Sequence, residues 1–273
     1  MRIVSICPSN TELCAYLGLT ENLVGVDDYS DWPEAVLSLP KLGPDLSIDM
    51  DKVEALKPDL VLASLSVPGM EKNVDALKDR SIPHVVFNPN SLEEIAEDLM
   101  TLGRLTGKVA EATSIVQKYN KLIDGYKEIS KNITKKPSLY WEWWPKPVFT
   151  PGKINWLTKI SELAGATNLY DDVELASVQT DWQDVVNRKP DHICLAWVGV
   201  KQDKVKPALV KKREGWDTLY EEKKCPIHVL EEPLYCRPSP RLLTGLQKLA
   251  AIIHPQHYPA YSQDQDALLT ARD

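Results

Sequence analysis

Short apolar runs and longer amphipathic stretches follow one another along this chain in an order that occurs twice. Ile3–Cys7 is an apolar run of strand length, followed by a loop (Pro8-Ser9-Asn10) and a helical stretch, Thr11–Leu17, that closes at Gly18. Ser138–Trp143 repeats the pattern and is followed by a helix over Asn155–Leu163 that closes at Gly165. Further on, DMDKVEALKPDLVL (49–62) aligns with DWQDVVNRKPDHIC (181–194), so that Asp49 matches Asp181, Val53 matches Val185, and the two Lys-Pro-Asp triplets coincide. Each copy reads as a short helix with an acidic start that stops at Lys-Pro, because the residue before proline disfavours the α region. A strand follows in each, Leu60–Ala63 and His192–Trp197. A proline-led strand comes next, Ile82–Phe87 and Cys225–Leu230.

Strands that alternate with helices predict parallel sheets covered on both faces. The expected fold is therefore α/β, with two doubly wound parallel-sheet lobes joined by one long backbone helix and a ligand cleft between the lobes. The joining helix is read from residues 107–136. There Val109, Ala112, Ile115, Val116, Tyr119, Leu122, Ile123, Tyr126 and Ile129 recur at three- and four-residue steps. A helix of ~25 residues extends about 38 Å. The expected domains are 1–106, the connecting helix 107–136, and 137–273.

Composition narrows the function classes. A net charge of −7 argues against a nucleic-acid partner, which needs a basic face. No run of 18 apolar residues predicts a membrane span. Met1–Ile6 reads at once as a strand, without the basic and apolar segments of an export signal or a lipid-anchored cysteine. The chain as written is thus expected in the cytoplasm, and outside it if a leader is missing. Five cysteines (7, 14, 194, 225, 236) with scattered spacing suggest neither a disulfide framework nor a metal site. No GxGxxG, GxxxxGK[ST] or GxSxG motif is present, so dinucleotide, P-loop and α/β-hydrolase readings fail and no enzyme or cofactor is expected.

In open α/β sheets, ligands bind where loops leave the carboxyl ends of the strands. In the first lobe that rule selects Pro8–Asn10, Tyr29, Asp31 and Trp32, Gly43, Pro44 and Asp45, and Ser64. In the second it selects Trp143, Trp144, Phe149, Trp197, Tyr235 and Arg237. Seven of the eight tryptophans lie after residue 140, and aromatic faces at a pocket mouth suit a broad, partly apolar ligand. Trp156, Trp182 and Trp216, on helices, read as packing instead. Ser239 and Pro240 read as the cap and first turn of a C-terminal helix, flanked by Arg237 and Arg241.

The segments IVSICPSNTELCAYLGL, LVGVDDYSDWP, ALKPDLVLAS and PSPRLLTGLQKLA resemble the cobalamin- and iron-siderophore-binding proteins of ABC importers, over residues 3 to about 253. YSDWP and SLYWEWWPKPVFTPGK are closer to the cobalamin branch. The resemblance implies two lobes on a backbone helix and a monomeric binder of a small corrinoid ligand. It places Tyr29 against the corrin ring, Arg237 on the ligand and Phe149 in an aromatic position. Asp45 and Ser64 stand where the cobalamin branch has tryptophans, and Pro233 where it has an aspartate; Trp143 and Trp144 are read as replacing the lost surface. It also implies an ABC permease dimer as partner, docked through Asp51 on the first lobe and through Gln183 with neighbouring Asp184 on the second. Haem, a ferric siderophore, or a cytoplasmic corrinoid-sensing or -handling role on the same scaffold stay open as alternatives.

Overall fold

A computed structural model of the protein describes residues 1–261 and 266–269; the remaining tail positions of the expected 137–273 domain lie outside the described residues. The chain divides into two compact units. The first holds Met1–Tyr119 with Pro238–Pro240 and residues from Ala267, and the second holds Asn120–Arg237 and residues from Arg241.

The first unit is built on β1 (Ile3–Ser5), β2 (Leu23–Val26), β3 (Leu60–Ser64) and β4 (His84–Phe87), all parallel in the order β2-β1-β3-β4. Helices α1 (Pro8–Tyr16), α2 (Met50–Ala55), α3 (Glu71–Asp79) and α4 (Leu92–Thr106) connect and cover them. The long α5 (Val109–Lys131) follows. It belongs to the first unit as far as Tyr119, whose hydroxyl donates to Leu92 O (3.2 Å), and to the second beyond it, where Tyr126 stacks on Tyr258. Its start lies against α4 so closely that a Cβ on Gly103 would come within 2.6 Å of the Ala112 methyl.

The second unit repeats the plan. Here β5 (Ser138–Glu142), β8 (Thr167–Asn168), β10 (His192–Leu195) and β11 (Ile227–Val229) form a parallel sheet in the order β11-β10-β5-β8. Helices α6 (Trp156–Leu163), α7 (Trp182–Arg188), α8 (Pro207–Lys211), α9 (Trp216–Lys223) and α10 (Leu242–Ile253) surround it. It adds an antiparallel sheet that the sequence pattern did not announce, formed by β6 (Trp144–Pro145), β7 (Val148–Pro151) and β9 (Ser177–Thr180).

The duplicated sequence does the same physical work in both units. Asp49 and Asp181 cap α2 and α7 by accepting backbone N–H groups. Lys57 and Lys189 then turn left-handed (φ 48° and 52°), as do the repeat partners Ser81 and Lys224 ahead of the proline-led strands. These four are the only non-glycine residues of positive φ among the described residues, and each costs roughly 1 kcal/mol of backbone strain. The aspartate of each Lys-Pro-Asp explains the triplet. Asp59 accepts from Arg2 N (2.6 Å) and Asp191 from Ser138 N (2.9 Å), while their own N–H groups return bonds to Arg2 O and Ser138 O. Each carboxylate thus fastens the residue that opens the central strand.

Two local expectations are corrected. Pro8, Ser9 and Asn10 are the buried first turn of α1 rather than a loop, since a proline at the first helical position is already set for the helix. Ser239 does not cap α10, which starts from Arg241 without a side-chain cap; its hydroxyl donates instead to the buried Glu12 carboxylate.

Candidate functional site

At the carboxyl ends of β1 and β2, a buried Asp27 organises the loop that carries Tyr29. Its carboxylate accepts Tyr29 N (2.8 Å), Ser30 N (3.0 Å) and Ser30 Oγ (2.5 Å), an aspartate-stapled turn of the kind that competes well with regular structure. The Ser30 hydroxyl lies 2.7 Å from that of Thr11, which donates to Ser5 Oγ, and Lys41 Nζ donates to Ser30 O (2.8 Å). The loop is therefore held from beneath by β1, α1 and Lys41, which bridges to Val26, and Tyr29 stands out from it with half its surface exposed. Asp31 is exposed, and Trp32 is half-buried with its ring 5.4 Å from that of Tyr16.

Gly43, Pro44 and Asp45 adjoin this loop through reciprocal bonds between Asp28 and Gly43. Gly43 is left-handed (φ 101°), and a Cβ there would meet Ser47 O at 2.8 Å, so only glycine makes the turn. Asn73 ties the loop down by donating to Asp45 O (2.6 Å). Ser64, expected beside them, is buried and engaged with Ser66, which leaves it shaping its own loop.

In the second unit, Glu142 ends β5 with no exposed surface. Its carboxylate accepts two bonds from Arg213 (2.5 and 3.0 Å), one from Tyr140 OH (2.8 Å) and one from Trp197 Nε1 (3.0 Å). Burial opposes the Arg213 charge, but the hydrogen bonds and field of Glu142 outweigh it and raise the Arg213 pKa. Burial, followed by the Glu142 charge, pushes the Tyr140 phenol well up.

Beyond Glu142, Trp144 and Phe149 face each other across the β6–β7 ladder, and Trp144 is 43% exposed with Nε1 donating to Lys146 O. Trp143 departs from the expected Trp143–Trp144 pair. It is half-buried against Trp156, ring centroids 6.1 Å apart, so the exposed aromatic ring is Trp144, with the half-buried Phe149 beside it on the ladder. Trp197 and Tyr235 are corrected as well. Trp197 is 7% exposed in the core cluster, drawn in by its bond to Glu142, and Tyr235 is fully buried, donating to Gly245 O and lying against Trp141. Arg237 is mostly buried beside Glu232 (3.3 Å). Arg213 went unnoticed in the sequence; the signal for it was an ionisable residue, Glu142, ending an otherwise apolar strand.

Of the expected docking residues, Asp51 is exposed on α2 and paired with Arg80 (2.6 Å), and Gln183 is exposed on α7. Asp184 is half-buried and carries a structural load beside Gln183. One of its oxygens accepts from Tyr170 OH, Thr180 Oγ1 and Arg188 Nε, which makes it a fastener of α7 to the antiparallel sheet. Among the described residues, no group of three His, Cys, Asp or Glu side chains converges as a metal site, and no helix is long and apolar enough to cross a membrane.

Comparisons with known proteins agree with this architecture. The ABC transporter substrate-binding lipoprotein YvrC of Bacillus subtilis is 32% identical over 94% of this chain and 81% of its own length. The vitamin B12-binding protein of Yersinia pestis is 27% identical over 91% of this chain and 84% of its own. A periplasmic heme-binding protein from Pseudomonas aeruginosa superposes with a TM-score of 0.82 at 22% identity, covering 96% of this chain and 95% of that one. The sequence pattern of the periplasmic binding proteins matches residues 3–219, and the chain belongs to that family, whose members bind solutes for transport and are not enzymes.

Proposed function

We propose that this protein is the substrate-binding component of an ABC importer and that its ligand is a corrinoid of the cobalamin type. The observation that carries the reading is an exposed aromatic ring at the carboxyl ends of the strands in each unit: Tyr29 in the first, and Trp144, backed by the half-buried Phe149, in the second. A large, flat, partly apolar ring system is the ligand that such faces suit. The importer role is supported by similarity to YvrC, and the corrinoid by the vitamin B12-binding relatives. Asp31, Gly43, Pro44 and Asp45 are proposed to edge the first aromatic surface. Arg237 is proposed as a polar contact for ligand amides in the second unit, with Glu232 holding its guanidinium in place. Asp51 and Gln183, at matched positions on α2 and α7, are proposed as the permease-facing residues.

A second reading, haem, is favoured by one specific feature. An exposed tyrosine can serve as an axial iron ligand through its oxygen, and Tyr29 is so placed. The substitution Tyr29→Phe separates the two readings. It keeps the stacking face and removes the oxygen, so corrinoid affinity is expected to change less than about threefold. If haem binding and its Soret band collapse in Tyr29→Phe while cyanocobalamin fails to bind the parent, the haem reading replaces the corrinoid one.

A further inference from the structure

The repeat exposes an anomaly at the end of β5. Parallel pairing sets Ile3 beside Leu60 and Leu139 beside His192, and Leu60 and His192 each follow their own Lys-Pro-Asp. Counting along the strands, Glu142 is the partner of Ile6, a core residue 2% exposed. One copy of the fold completes this position with an isoleucine. The other buries a carboxylate and must then find an arginine for it. A buried ion pair is seldom more stabilising than well-packed apolar side chains of similar volume. The sheet itself therefore gives no reason for Glu142.

What differs around the two positions is the segment that follows. Residues 65–83 join β3 to β4, whereas the longer 196–226 joins β10 to β11. Arg213 comes from that longer segment. Its guanidinium lies 4.9 Å over the Trp182 ring, and Trp182 Nε1 donates to Glu214 O, so the segment is pinned on both sides of the ion pair. Glu142 also accepts from Trp197, its backbone carbonyl takes Ala196 N, and the next carbonyl, of Trp143, takes Val198 N. Trp143 N in turn donates to Phe149 O across the hairpin that presents Trp144. Arg213 is thus connected to Trp144 through its bonds to Glu142 and through the backbone of residues 142–144, which the hairpin bond braces.

We infer that Glu142 and Arg213 are positioning residues for the aromatic wall of the second unit: their ion pair locks the end of β5 and residues 196–216 so that Trp144 and Phe149 are presented in one fixed geometry. The affinity part of this inference rests on the corrinoid reading, and the geometric part does not. A preorganised wall binds more tightly because ordering costs are met before the ligand arrives.

The test replaces the pair by the chemistry that the first unit uses, Glu142→Ile with Arg213→Met, in protein labelled with 5-fluorotryptophan. The fluorine resonances of Trp143, Trp144 and Trp197 are expected to shift and broaden, while Trp32, in the other unit, stays where it was. With the urea midpoint close to the parent's, affinity for cyanocobalamin is expected to fall roughly tenfold, because a loosened supporting shell no longer holds the binding geometry. Unchanged Trp144 and Trp143 resonances overturn the inference whatever the affinity. A parent that binds no cyanocobalamin sinks the corrinoid reading alone, and the fluorine spectra then decide the positioning claim without a ligand. Should the double variant fail to fold, Arg213→Lys serves. It keeps the charge but loses the two-pronged contact, so a Trp144 shift in the same direction supports the inference and an unmoved resonance rejects it.

Discussion

The two units are the same topology stabilised by opposite chemistry at corresponding places. The first holds its strand-end loop with a buried Asp27 that accepts from short neighbours (two backbone N–H groups and a serine), helped by hydroxyls of α1 and β1. The second spans a long sequence separation with Glu142 and Arg213 and surrounds them with indoles. Local hydrogen bonds can be rebuilt by small shifts, whereas a buried ion pair is all or nothing. The comparison teaches that duplication copied the frame, comprising the caps, the left-handed turns and the Lys-Pro-Asp clamps, and left the ligand-facing ends free to diverge.

The largest break in that comparison is expected from Arg213→Ala, which strands a buried carboxylate and should lower stability by about 3–5 kcal/mol. Ser5→Ala, in the hydroxyl network of the first unit, should cost only about 1 kcal/mol. Urea unfolding of the two variants checks this, and equal losses would erase the distinction. Next come the two clamps. Asp59→Ala and Asp191→Ala should each cost about 1–2 kcal/mol, with Asp191 the costlier because it also accepts from Ser138 Oγ (3.0 Å).

The repeat could be read from sequence because its signals are local. A capping aspartate, a lysine before proline and a paired aspartate each act within a few residues or on one neighbouring strand. Gly18 and Gly165 were legible for the same reason and are left-handed as expected (φ 66° and 75°). The β6–β7–β9 sheet was not legible, since its strands are short and prolines interrupt the alternation that would mark them. Nor was the Glu142–Arg213 pair, whose members lie 71 residues apart and leave no periodic trace. Trp197 and Tyr235 show a further limit. A place at a strand end says that an aromatic residue is near the ligand face, but which way the ring turns is decided by partners, here Glu142 and Gly245.

Acidity should act on the two units in opposite senses. In the second, His192 and His228 are joined through ring nitrogens 2.9 Å apart. Burial, then the neighbouring His228, pushes His192 down to about 4. Folding thus favours the neutral ring, and its stabilisation is present above the ordinary pKa near 6.5 and lost as pH falls toward 4. In the first unit, Asp98 has a buried oxygen without a partner, and burial, then Glu94 and Glu97, pushes its carboxyl up to about 7. Folding there favours the protonated acid, so stability is lost as pH rises from about 4 through 7. Both groups are partly exposed, which limits each effect to about 1 kcal/mol. Asp98→Asn should therefore stabilise the protein at pH 8 and make no difference at pH 4. His192→Gln should flatten the acid limb. Urea midpoints across pH 4–8 measure both, and an Asp98→Asn gain that persists at pH 4 would contradict the assignment. The smallest effect is expected from Arg80→Ala, since its pair with Asp51 is solvent-exposed and its loss should leave the urea midpoint unmoved.

The central claim is that exposed aromatics at the strand ends of both units receive a corrinoid, and titration of cyanocobalamin against intrinsic tryptophan fluorescence tests it most directly. The account predicts saturable quenching at micromolar ligand or below, weakened roughly tenfold by Trp144→Ala, in keeping with an aromatic contact worth about 1.4 kcal/mol. No quenching at tens of micromolar cyanocobalamin, with saturable quenching by haem or a ferric siderophore instead, would contradict it.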